Sequence, residues 1–301
     1  MPVSATAARV SAAVPNALSL DQNGINQVIA GAKAVNINHL TITVPWNAVQ
    51  TSSTFWNFTA TDRAVNSATN AGMGVTIILD GPRPSWSKNP LDPVQFANFA
   101  TNIASRYRKV TEFQVWNYPN ISDYWPPAPD GPEYTDLLKA VYPALKKVNP
   151  SIKVIFGLLQ AAVPSKARAV VSKVGRGSNV RTSAPTELSP VQFLTACYTA
   201  GAKSYFDIMA YAPLSLSVVQ LSTRAPAPSG NSIKQADDVR ALMSQRGDSA
   251  KKVYWTFGYD TDTNKFTQLQ QSLYLDTMRW LAETRKDHVT GLNIYTYRDE
   301  N

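Results

Sequence analysis

The 301-residue sequence has little of several things that specify common chemistries. Its one cysteine, Cys197, cannot form an internal disulfide, and the helical pattern around it (Phe193, Leu194, Cys197, Tyr198) suits a small buried side chain better than a redox centre. Its two histidines, His39 and His288, have no second ligand at motif spacing, so no metal site is expected. No Gly-rich phosphate loop follows an early strand, and no cofactor is expected. No apolar run approaches the roughly 18 residues of a membrane helix. Met1 to Leu20 has neither the basic start nor the apolar stretch of a secretion signal, so the reading is a soluble protein without its own signal and without membrane insertion. Acids are missing between Asp136 and Glu187, while Lys139, Lys146, Lys147, Lys153, Lys166, Arg168, Lys173, Arg176 and Arg181 fall inside that interval. The net charge of +8 therefore concentrates on one flank, either as a solvated face or as a docking surface for an anionic neighbour. Nucleic acid is not the expected partner, because no recognised binding motif accompanies the charge.

What is present is an apolar, aromatic-rich chain: 44% hydrophobic, with seven Trp and thirteen Tyr, a composition that excludes disorder. Short β-branched or aromatic runs alternate with longer segments of helical period. Strands are expected near Arg9–Val14, His39–Val44, Gly74–Leu79, Glu112–Trp116, Ile152–Gly157, Tyr205–Ala210, Lys252–Phe257 and Gly291–Tyr297. Helices are expected near Asp21–Lys33, Thr61–Ala71, Pro93–Tyr107, Pro132–Val148, Pro190–Ala200, Ile233–Arg246 and Phe266–Arg285, with Thr61 and Asp92 as N-caps and Pro93 at the first helical position. Eight βα repeats in this length describe a single (β/α)8 TIM barrel over residues 1–301, with residues 1–8 as an N-terminal arm. A doubly wound open sheet is the alternative. The stretches Val174–Ser189 and Ser215–Ser232 read as irregular βα loops.

In such a barrel the C-terminal strand ends carry function. Aromatic and polar residues recur there: Trp46, Trp86, Trp116, Asn117, Tyr118, Tyr124, Trp125, Tyr211, Trp255, Tyr259, Tyr295 and Tyr297. Gathered round one mouth, the rings would stack on sugar C–H faces while Asn and Asp fix hydroxyls; packed inward, they would plug the top of the barrel.

The run Phe113-Gln114-Val115-Trp116-Asn117-Tyr118-Pro119-Asn120 resembles the strand-four signature of clan A glycoside hydrolases, families five and thirty-nine in particular, which ends Trp-Asn-Glu-Pro-Asn. The resemblance extends over most of the chain. Thr41–Trp46 is similar to the second strand of that clan, Trp56–Ala71 to the helix after it, and Arg83–Trp86 to the loop after strand three. Ala104–Tyr107 is similar to the helix before the signature, Phe206–Ala210 to strand six, Phe257–Tyr259 to strand seven and Tyr295–Asp299 to the last strand. The resemblance implies a retaining glycosidase with two carboxyls about 5 to 5.5 Å apart. Yet Tyr118 stands where the family has its acid/base Glu, and Trp255-Thr256-Phe257-Gly258 stands where it has Thr-Glu-Phe-Gly, so Thr256 replaces the nucleophile or one residue is deleted. Thr41 replaces the family's Arg, and Ala212-Pro213-Leu214 its His-Pro-Tyr.

Two functional readings follow. One is a non-catalytic barrel that binds a bacterial cell-wall or surface glycan, or acts as a structural attachment module such as a phage minor tail protein in the virion, its basic flank set against acidic neighbours. The other is an active glycosidase with relocated acids, drawn from Asp80, Asp123, Asp207, Asp260, Asp262 and Asp299, with Asp123 and Asp260 the first choice for an inverting pair about 6.5 to 9.5 Å apart. A processed secreted protein or a cytoplasmic protein would share the features that suggest a virion.

Overall fold

The computed structural model describes residues 8–87, 91–162, 169–174, 177–182, 187–213, 232–258 and 268–295. The strands are β1 (Arg9–Val14), β2 (His39–Pro45), β3 (Gly74–Asp80), β4 (Glu112–Val115), β5 (Lys153–Ile155), β6 (Leu159–Gln160), β7 (Ala169–Val174), β8 (Gly177–Thr182), β9 (Ile208–Ala212), β10 (Lys252–Gly258) and β11 (Val289–Tyr295). The helices are α1 (Gln22–Ala34), α2 (Trp46–Val49), α3 (Thr59–Asn70), α4 (Pro93–Arg106), α5 (Gly131–Val148), α6 (Pro190–Thr199), α7 (Ser232–Gln245) and α8 (Gln268–Glu283).

Parallel pairing runs β1-β2-β3-β4-β5-β9-β10-β11 and back to β1, so eight strands close into a (β/α)8 TIM barrel; β6 extends the β5 side by pairing with β9. Closure, which leaves no sheet edge, decides against the open doubly wound sheet. Helix starts follow local capping chemistry. Asp92 accepts from Val94 N–H (2.9 Å) and Gln95 N–H (3.2 Å) ahead of Pro93, and Ser189 with Gln192 forms a capping box at α6. Thr61 is not an N-cap: α3 begins two residues earlier, after Phe58, and Thr61 is buried within its first turn. Four elements, α2, β6, β7 and β8, go beyond the sequence expectation. The short helix α2 follows β2 directly, and the segment read as irregular between Val174 and Ser189 holds strand β8 of an antiparallel hairpin with β7. The Ser215–Ser232 loop and residues 1–7 of the N-terminal arm lie outside the described residues, apart from the helical Ser232. No helix among the described residues is long and apolar enough to cross a membrane.

Barrel interiors are ordinarily layered with branched apolar side chains. Here the β5/β9 side is apolar (Ile155, Leu158, Ile208, Ala210, Ala212), but the opposite side is polar. At the N-terminal end, Arg9 on β1 forks onto Glu112 on β4 through two bonds of 2.7 Å; the Thr76 hydroxyl donates to the same carboxylate (2.8 Å), as does Tyr254 (3.2 Å). Because the Thr76 hydroxyl donates to Glu112, His39 Nε2, 2.9 Å from Thr76 Oγ1, must be the donor in that contact. Burial, reinforced by the charge of Arg9 and opposed by Glu112, pulls the His39 pKa down from 6.5 to about 4. A histidine depressed in the folded state gives stability that is present above 6.5 and lost as pH falls towards 4, roughly 3 kcal/mol at about 1.36 kcal/mol per unit. In a two-dimensional NMR titration His39 is expected to stay neutral down to about pH 5; protonation near 6.5 would refute the buried network.

Two glycines make room for this plug. A Cβ on Gly74 would lie 2.2 Å from His39 Nδ1, and one on Gly291 would lie 2.5 Å from the Tyr254 ring. Gly291→Ala is therefore expected to cost about 1 to 3 kcal/mol in denaturant unfolding; an unchanged midpoint would show that Tyr254 can swing aside.

Candidate functional site

The C-terminal mouth is organised by the end of β4. Trp116 continues the ladder for one step, its N–H donating to Leu79 C=O (2.8 Å). The chain then turns through left-handed backbone, with φ of 76° at Trp116 and 45° at Tyr118. Neither residue is glycine, and Tyr118 precedes Pro119, which disfavours helical geometry of either hand, so this backbone is strained. Tertiary contacts hold it. Tyr118 N–H donates to Leu158 C=O (2.9 Å), and the fully buried Asn120 amide donates to Gln160 C=O (2.8 Å) and Leu188 C=O (2.9 Å).

The result is that Asn117 and Tyr118 are both set at the mouth. The Asn117 amide is oriented by Gln114, whose Nε2 donates to Asn117 Oδ1 (2.8 Å), so Asn117 Nδ2 is left to donate to Asp80 at the end of β3. Gly81 N–H and Asn117 N–H also serve this carboxyl. Burial nevertheless outweighs these donors and pushes the Asp80 pKa up to about 6. The Tyr118 ring lies over the apolar side of the barrel and packs edge-on against Tyr124, centroids 4.8 Å apart. Burial, then Tyr295, Tyr124 and Asp80, raise the Tyr118 pKa well above that of an ordinary phenol, so it stays neutral. Thr256 is buried lower in the barrel, in a chain across three strands: Ser11 donates to Asn293 Oδ1 (3.1 Å) and Asn293 Nδ2 to Thr256 Oγ1 (3.4 Å).

The aromatics divide into two groups. Trp46, Tyr211 and Trp255 are fully buried core residues: Trp46 lies against Phe96 and Phe99 of α4, and Trp255 lies beneath Arg285. Trp116 and Trp125 are buried against each other, centroids 5.2 Å apart. Indole N–H groups stitch the loops together, Trp46 to Gln50 Oε1 (2.8 Å), Trp86 to Gln50 C=O (2.9 Å), Trp116 to Tyr124 C=O (2.9 Å) and Trp125 to Glu133 (3.1 Å). Left at the surface of the mouth are Tyr124 and Tyr295, 46% and 42% exposed, with Asn117, Tyr118 and Trp86 half-buried. Tyr259, Tyr297, Asp260, Asp262 and Asp299 lie outside the described residues.

One acid assignment changes, that of Asp207. Asp123 is exposed in the β4–α5 loop. Asp207 precedes β9 and so lies at the opposite end of the barrel, where it binds Lys146 (2.8 Å) and Val154 N–H (2.8 Å). The basic flank is partly neutralised in the same way, with Lys139 on Asp136 (3.2 Å) and Lys146 on Asp207, while Lys147 and Lys153 are exposed. Lys173 lies on β7, and Lys166 and Arg168 lie outside the described residues. Among the described residues no group of three or more His, Cys, Asp or Glu is placed to hold a metal ion.

This architecture recurs among solved sugar enzymes. A family 39 glycoside hydrolase from Bacteroides cellulosilyticus WH2 superimposes with a TM-score of 0.67 at 20% identity, over 97% of this chain and 57% of that one. The chain folds as a glycoside-hydrolase-like barrel. Xylanase 10B from Thermotoga petrophila RKU-1, solved with xylobiose, matches with a TM-score of 0.62 at 13% identity over 98% of this chain and 84% of that one. The endo-β-1,4-mannanase from Thermotoga petrophila matches with a TM-score of 0.58 at 10% identity over 98% of this chain and 70% of that one. The barrel thus spans a little over half the length of the family 39 enzyme. No protein-family model matches the sequence, and no curated protein matches it.

Sequence reasoning did not single out the Gln114–Asn117–Asp80 relay. Asp80 was legible as one acid among six, but its burial depends on the Trp116 turn, which no local pattern announces. A polar Gln114 alternating with apolar residues in the β4 run was the available signal.

Proposed function

We propose that this glycoside-hydrolase-like barrel is a non-catalytic module that binds a glycan at its C-terminal mouth. The supporting observation is that the strand ends where the resemblance expects two carboxyls carry Tyr118 and Thr256. Glycoside hydrolysis needs one group to protonate the leaving oxygen and a second carboxyl to act as nucleophile or to activate water. A neutral phenol held above its usual pKa is a poor acid, and a buried Thr hydroxyl already bonded to Asn293 is no nucleophile. Asp80 is a single carboxyl and cannot perform both tasks from one position. The half-buried Asn117 and the exposed Tyr124 and Tyr295 supply the hydroxyl partner and stacking faces that sugar binding needs.

Titration with oligosaccharides by calorimetry, alongside incubation with aryl glycosides and cell-wall polysaccharide, tests this reading. Saturable binding without product is the expected result. Turnover abolished by Asp80→Asn, Asp123→Asn or Asp260→Asn would instead establish relocated catalysis. A role for the module in a virion tail, with Lys147 and Lys153 facing acidic neighbours, predicts the chain among the proteins of purified particles; its absence there would remove that setting and leave the binding reading intact.

A further inference from the structure

Among the described residues Asp80 is a partly buried carboxyl that holds no cation. Other partly buried acids of the barrel hold a cation: Glu112 holds Arg9 (2.7 Å), Asp207 holds Lys146 (2.8 Å), Asp248 holds Lys251 (3.0 Å) and Asp62 holds Arg106. Among the described residues no cation pairs with Asp80, whose donors are the neutral Gly81 N–H and the Asn117 amide and N–H. The donor set is built with effort, since two non-glycine residues adopt left-handed backbone to deliver Asn117. Around this pair the mouth is aromatic: Tyr118 neighbours both Tyr124 and Tyr295, and the last two are exposed. A carboxyl beside an oriented amide offers a donor and an acceptor a few ångströms apart, the pattern that takes two adjacent hydroxyls. A carboxyl that can ionise repels uronates, sialates and phosphorylated sugars.

We infer that Asp80 is a sugar-binding residue which, with Asn117, anchors two hydroxyls of a neutral pyranose whose C–H face lies on Tyr124 and Tyr295. This rests on the glycan-binding reading above and names its polar anchor and its ligand class.

The test compares wild type with Asp80→Asn, Asp80→Ala, Tyr295→Ala and, as a control, Trp280→Ala, an exposed residue on α8 away from the mouth. The probes are xylohexaose, mannohexaose, cellohexaose, chitohexaose and an oligogalacturonate, titrated calorimetrically at pH 7 with unfolding measured on each variant. Expected are binding of a neutral oligosaccharide, at least tenfold weakening in both Asp80 variants, several-fold weakening in Tyr295→Ala, and no change in Trp280→Ala. Asp80→Asn should lose affinity while its unfolding midpoint rises, a combination that a merely structural residue does not give. Wild-type affinity in Asp80→Asn would overturn the inference and leave glycan binding standing. Preference for the uronate would overturn the ligand class, and absence of binding to every probe would overturn both the inference and the reading beneath it.

Discussion

Replacing Glu112 with Gln is expected to destabilise the barrel by about 2 to 4 kcal/mol at pH 7, the largest single loss anticipated for this protein. Glu112 lies at the centre of the N-terminal plug, where it accepts two bonds from Arg9, one from Thr76 and one from Tyr254. Burial alone would raise its pKa, but the Arg9 fork, with His39 and Thr76, lowers it, so the ionised form prevails. A folded-state pKa below the unfolded value means that this stability is present above about 4.5 and is lost as pH falls through the folded value. Removing the carboxylate leaves the Arg9 guanidinium facing a neutral amide over the Tyr254 ring, 5.0 Å from its centroid. The Arg9 side chain is 35% exposed, so water recovers part of its solvation and the expected loss falls short of that for a fully buried pair. Arg9→Met should also destabilise, by stranding Glu112. The double variant Arg9→Met with Glu112→Gln should lie closer to wild type than either single change, because no unpaired charge remains. Denaturant unfolding of the four proteins closes the cycle. Additive single effects would show that the two charges act independently.

The second large effect has the opposite sign. Asp80→Asn is expected to stabilise the protein by about 2 to 3 kcal/mol at pH 8, from a shift of two units at about 1.36 kcal/mol each. An acid whose folded pKa is raised from 3.8 to about 6 contributes fully below 3.8, and that contribution is lost as pH rises through 6. The amide cannot ionise, so the gain should vanish below pH 4. Unfolding measured at pH 4, 6 and 8 decides it, and equal differences at all three would show that burial of Asp80 does not govern its ionisation. The windows of Asp80 and His39 overlap between pH 4 and 6 with opposite slopes. Wild-type stability should therefore be nearly level there, and Asp80→Asn should unmask the rise due to His39. A residue that destabilises the fold at neutral pH and sits in the mouth is what a stability–function trade-off leaves behind.

Much of the frame was legible in the sequence. The runs Arg9–Val14 and His39–Val44 are strands almost to the residue, because alternating β-branched and small side chains suit a barrel wall. Asp92-Pro93 starts α4 because a carboxylate that caps the first turn, followed by a fixed φ, specifies a helix N-terminus locally. The pair Tyr118 and Thr256 also needed only the one-dimensional order of the chain to be recognised as departures.

Facing direction was not legible. Trp255 and Thr256 are adjacent, yet a strand sends them to opposite sides, the indole to the helix layer and the hydroxyl into the barrel. Likewise Trp46 and Trp125 follow strand ends in sequence but fill the space between wall and helices. The sequence by itself determined a βα-repeating barrel with an altered strand-four motif, since periodicity and capping are local properties. Only the tertiary structure decided that Asp80, from a different strand, lies beside Asn117 with no cation among the described residues, because burial and donor geometry arise when β3 and β4 pair and the Trp116 turn closes over them.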